Sequence, residues 1–73
     1  MKIKARAKIF VNGKETLVKT AVAKYKGLAG HIDDFRKMSK SVARLSDNGI
    51  MTSSQEFTYS SGDTVRVEIH TKQ

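Results

Sequence analysis

The sequence predicts a single α+β domain spanning residues 1–73. Its expected order is ββαββ, a two-layer sandwich in which two β-hairpins form one mainly antiparallel four-stranded sheet and a single helix packs on one face. Three observations lead there. Residues 1–11 alternate strictly between apolar and mostly cationic side chains and end on Asn12-Gly13. Large apolar residues recur at steps of three or four from Leu28 to Leu45. Residues 64–72 alternate again, just after a turn-forming Ser60-Ser61-Gly62-Asp63.

In the first stretch Ile3, Ala5, Ala7, Ile9 and Val11 alternate with Lys2, Lys4, Arg6, Lys8 and Phe10. A period of two is the signature of a half-buried strand. Asn-Gly is the strongest short hairpin signal, because a type I′ turn needs positive φ at both central residues. A second strand is expected from Lys14 to Tyr25. A two-residue loop would then pair Val11 with Lys14, Ile9 with Thr16, Ala7 with Val18, Ala5 with Thr20 and Ile3 with Val22. That register sorts one mostly apolar face from another made of Lys2, Lys4, Arg6, Lys8, Phe10, Leu17, Lys19, Ala21 and Ala23. A slip by one residue would exchange the two faces.

Lys26-Gly27-Leu28-Ala29-Gly30-His31 joins this hairpin to a helix expected over Leu28 to Ser46. Leu28, Ile32, Phe35, Met38, Val42 and Leu45 share one side of it, and Arg36, Lys37, Lys40 and Arg44 the other. Asp47-Asn48-Gly49 stops the helix, with Asn48 or Gly49 suited to a left-handed cap. Met51 to Ser54 is expected as loop. The second hairpin pairs Gln55–Tyr59 with Thr64–Lys72, whose Val65, Val67 and Ile69 form a buried row.

A chain of 73 residues has room for one core and buries only about 60% of its unfolded surface. It has no Cys, so neither disulfides nor thiolate metal sites add stability. No apolar stretch approaches the roughly 20 residues of a membrane span. No secretory leader is recognisable at the N-terminus, and the expected compartment is the cytoplasm of the producing organism or of a host.

Fourteen Lys and Arg against seven Asp and Glu give a net charge of +7 and a pI near 10.0. A small domain of this charge suits nucleic acid or an acidic protein surface. Two layers leave one sheet face open. Lys2, Lys4, Arg6, Lys8 and Lys19 on that face are expected to meet phosphates, with Phe10 as the stacking or apolar contact. Arg36, Lys40 and Arg44, at i,i+4 spacing on the helix, form a second expected phosphate stripe. The structural alternative is a solvated face whose lysines discourage edge-to-edge aggregation.

Gly27-Leu28-Ala29-Gly30 has the G-x-x-G form that clamps backbone nucleotides in KH modules, but there it joins two helices. Here it joins a strand to a helix, and the glycines are expected simply to make the turn. His31 and His70 are the only histidines and no metal-ligand spacing accompanies them. No Ser or Thr stands in a nucleophile or phosphate-loop motif. The expectation is a non-enzymatic protein with no cofactor, no metal and no small-molecule substrate. It binds DNA or RNA largely irrespective of sequence, or else regulates a larger partner by docking on its acidic surface. In size and composition alone the chain resembles small inhibitors encoded by phages and mobile elements. A homodimer through the open face would set five cations against their own copies, whereas one through a strand edge is compatible with either.

Overall fold

The computed structural model describes residues 2–73, so an expected strand start at Met1 lies outside the described residues. The elements are β1 (Lys4–Val11), β2 (Lys14–Thr16), α1 (Val18–Lys24), α2 (Leu28–Ala43), β3 (Met51–Thr58) and β4 (Thr64–Lys72). The strands form one sheet of order β2-β1-β4-β3 in which every neighbouring pair is antiparallel. The α+β class and the four-stranded antiparallel sheet hold. The single helix does not: the order is ββααββ.

The added helix replaces most of the expected second strand. Pairing of β1 with β2 stops after Val11–Lys14, Phe10–Glu15 and Ile9–Thr16. The expected partners Val18, Thr20 and Val22 are helical instead, and β1 pairs with β4 over its whole length, from Lys4–Lys72 to Val11–Val65. Leu17 to Tyr25 alternates like a strand, yet Val18, Ala21, Val22 and Tyr25 also mark one side of a helix. The helical option wins because it lays that side on the sheet, where Ala21 and Tyr25 are buried and Val18 and Val22 pack beside them.

Gly27 takes a left-handed φ of 83° at the start of α2, a backbone conformation that disfavours any side chain. The stretch Gly27-Leu28-Ala29-Gly30 follows α1 and so joins two helices rather than a strand to a helix, with Gly30 inside α2 rather than in a loop. The side that α2 buries carries Leu28, Ile32, Phe35, Ser39 and Ala43. Beyond Phe35 it departs from the expected stripe, leaving Met38, Val42 and Leu45 at 59%, 50% and 87% exposed. The small Ser39 and Ala43 face inward instead, so the last turns can lie close against the sheet. The helix ends at Ala43, with Arg44 as a right-handed cap in place of Asn48 or Gly49. Ser46 then donates its hydroxyl to Ala43 O at 2.7 Å and accepts from Gly49 N at 3.0 Å, tightening the exit turn. The stretch Met51–Ser54, expected as loop, is the first half of β3.

The core is formed by Ile9, Val65, Val67 and Ile69 beneath Ala21, Tyr25, Leu28, Ile32 and Phe35. At one end of the sheet the two hairpin turns are tied together. Asp63 accepts from Tyr25 Oη at 2.7 Å and from Asn12 Nδ2 at 3.0 Å. Asn12 Oδ1 accepts from Thr64 N at 3.0 Å, and Asn12 N donates to Thr64 O at 2.8 Å. No helix among the described residues is long and apolar enough to cross a membrane.

Candidate functional site

Paired residues of an antiparallel sheet share a face. Ala5, Ala7, Ile9 and Val11 lie opposite Thr71, Ile69, Val67 and Val65 on the side covered by the helices. The open side therefore carries Lys4, Arg6, Lys8 and Phe10 on β1 and Lys72, His70, Glu68 and Arg66 on β4. Glu15 of β2, opposite Phe10, and Thr52, Ser54, Glu56 and Thr58 of β3 complete it.

These groups are unevenly distributed. Glu68 is engaged by Arg66 at 3.2 Å and by His70 Nε2 at 3.1 Å, while His70 Nδ1 lies 3.3 Å from Thr52 Oγ1. Among the described residues these are the ion pairs of the protein, so Lys4, Arg6, Lys8 and Lys72 have none. The guanidinium of Arg66 lies 4.5 Å from the centre of the Phe10 ring. Phe10 is thus on the open face as expected, and one face of its ring carries a cation–π contact from Arg66.

β2 is short, so beside Lys4–Lys8 the sheet has a free edge. The residues flanking a two-residue turn, Val11 and Lys14, exchange both their hydrogen bonds. Alternation along β1 then turns the N–H and C=O groups of Ala7 and Ala5 toward that edge, past the last β2 partner at Thr16. A groove of ≈ 830 Å³ runs there, lined by Lys4, Arg6, Lys8, Lys72, His70 and, from α2, Arg36, with Ala5, Ala7, Val18 and Thr71 beneath. Five Lys and Arg side chains face it and no carboxylate does. Opposing cations with no anion between them make an attractive well for phosphate or carboxylate. Arg36 is half-buried and its Nε is shielded from water without a hydrogen-bond partner.

The expected site residues divide accordingly. Lys4, Arg6, Lys8 and Arg36 come together, joining the sheet face to the helix stripe at one groove. Lys2 is exposed just before β1, Lys40 lies further along α2 and Arg44 caps its end, all outside the groove lining. Lys19 is on exposed α1 surface rather than on the sheet, and Leu17, Ala21 and Ala23 leave the open face with it. Lys72, Arg66 and His70 were missed. Their alternation with Val65, Val67 and Ile69 marks one face of β4, but assigning that face to β1's cations requires the β1–β4 pairing.

Among the described residues no three His, Asp or Glu are placed to hold a metal ion. Comparisons of the chain with known protein families, curated proteins and solved structures found no match.

Proposed function

We propose that this protein is a non-enzymatic nucleic-acid-binding domain that grips phosphates, largely irrespective of sequence, along β1 and over its free edge to Arg36. One observation carries this: the ≈ 830 Å³ groove is faced by Lys4, Arg6, Lys8, Lys72 and Arg36 and by no carboxylate. With Arg66 against one face of the Phe10 ring, contacts with the backbone are favoured over base stacking. Anisotropy titration of labelled single-stranded and duplex DNA and RNA, at low and moderate salt, tests the proposal. Micromolar or tighter binding that weakens steeply with salt is expected, since each neutralised phosphate releases counterion. Binding insensitive to salt, or unchanged in a Lys4→Gln/Arg6→Gln/Lys8→Gln variant, overturns it.

A second function is favoured by the edge-facing backbone of Ala5 and Ala7. An extended acidic segment of a partner protein could add a strand there, its carboxylates meeting the same cations. Failure of the wild type to bind any nucleic acid, with capture of acidic strand peptides that compete with one another, would select it.

A further inference from the structure

The opposite edge of the sheet has a different character. β3 is the outer strand over its full length and pairs with β4 residue for residue, from Met51–Thr71 to Thr58–Thr64, with no bulge. The alternation that places Val11 toward β2 fixes the direction of every backbone group across the sheet. Tyr59 N donating to Asp63 O at 2.9 Å agrees with it. The N–H and C=O groups of Thr52, Ser54, Glu56 and Thr58 consequently point away from β4. Such edges are ordinarily blunted by Lys, Pro or a bulge. β3 has none of these, and no Lys or Arg occurs between Leu45 and Val65 in a chain that has 14.

We propose that β3 is a self-association edge, pairing antiparallel with β3 of a second copy across a two-fold axis at Ser54 to give a continuous eight-stranded sheet. Charge selects a second copy as the occupant. A chain of net charge +7 can approach itself closely only through surface free of cations, a condition that β3 meets and the β1 edge does not. The side chains are self-complementary in this register. Thr52 faces the second copy's Glu56 and Ser54 faces itself on the open side, while Met51 faces the second copy's Phe57 on the helix side. The edge-facing groups of Thr52, Ser54 and Glu56 are then all paired. A slip by one residue is excluded because it would set open-side residues against helix-side ones. Five strand spacings would separate the two β1 strands by about 24 Å, with both cationic rows on the same sheet face.

The test needs no nucleic acid, so its outcome is independent of the proposed function. Light scattering after gel filtration should give a mass that rises with concentration from 8.1 kDa toward about twice that. Ser54→Lys, which sets two ammonium groups face to face, should hold the mass at 8.1 kDa with the circular dichroism spectrum unchanged. In this cysteine-free chain Ser54→Cys should cross-link to itself on mild oxidation, since the Cα atoms of such a pair lie about 5.5 Å apart, within disulfide reach. Ser61→Cys, in the turn, should not. A wild type that stays at 8.1 kDa up to millimolar concentration overturns the proposal. So does a dimer that survives Ser54→Lys, or cross-linking no faster at position 54 than at 61.

Discussion

The sheet has two edges, and the chain treats them in opposite ways. The β1 edge is shortened by a three-residue β2, floored by Ala5 and Ala7 and surrounded by Lys4, Arg6, Lys8, Lys72 and Arg36. The β3 edge is eight residues long and bears Thr, Ser, Gln, Met51, Phe57 and a single Glu56. Both present unsatisfied ladder groups to solvent. At β1 the concentrated charge repels a second copy of the chain and attracts anions; at β3 nothing repels a second copy. On the two proposals above, identical backbone chemistry would serve two kinds of partner, with side-chain charge deciding which.

The largest expected effect is one that removes both edges together. Ile69 lies in β4, fully buried between them, and Ile69→Ala should cost about 2–5 kcal/mol, enough to populate unfolded chain in a domain this small. Thermal melting followed by circular dichroism measures it, and binding and self-association should fail in parallel. The triple variant Lys4→Gln/Arg6→Gln/Lys8→Gln should act on one edge only. It should lower nucleic-acid affinity on the order of 100-fold near 0.1 M salt and flatten the salt slope by about 2–3, leaving the mass unchanged. Equal loss of self-association would erase the distinction between the edges.

Smaller effects sharpen the comparison at the β3–β4 turn. Gly62 has φ 93° with open space where a Cβ would stand, so Gly62→Ala meets backbone strain alone and should cost about 1 kcal/mol in a denaturant titration. The smallest effect is in pH dependence. Hydrogen bonds from Tyr25, and next from Asn12, hold the Asp63 carboxyl below the ordinary carboxylate range, so its contribution is present above about pH 4 and fades as pH falls further. The Tyr25 hydroxyl, donating to Asp63, is pushed up to about 12, so its contribution is complete below pH 10 and fades as pH rises toward 12. Tyr25→Phe should abolish the alkaline limb and weaken the acid limb of a stability–pH profile.

Much of this architecture was legible in the residues. β1, the Asn12-Gly13 turn, the start of α2 at Leu28 and the bounds of β4 all follow from period and turn chemistry. Leu17 to Tyr25 was not, because Val, Thr and Ala at alternate positions satisfy strand and helix periods together, and tertiary burial decided between them. Met51–Ser54 reads as loop because an edge strand with one polar face and few large residues has little alternation to detect. Of the candidate site, the β1 cations were visible from alternation alone. Their union with Arg36 and Lys72 depends on strand order, which a hairpin pattern does not encode, and Lys19 was misplaced for the same reason as α1.

Pairing of β1 with β4 also sets a timetable for synthesis. During translation β1 emerges before its main partner, with only the three rungs of β2 to engage. Ile9 and Val11 have no β4 to close against until more than fifty further residues have left the ribosome. A waiting strand of that composition is an aggregation hazard, and Lys4, Arg6 and Lys8 act as gatekeepers that keep it solvated. The cations proposed to hold phosphate in the folded protein thus have the placement of gatekeepers on the nascent chain before there is a sheet to carry them.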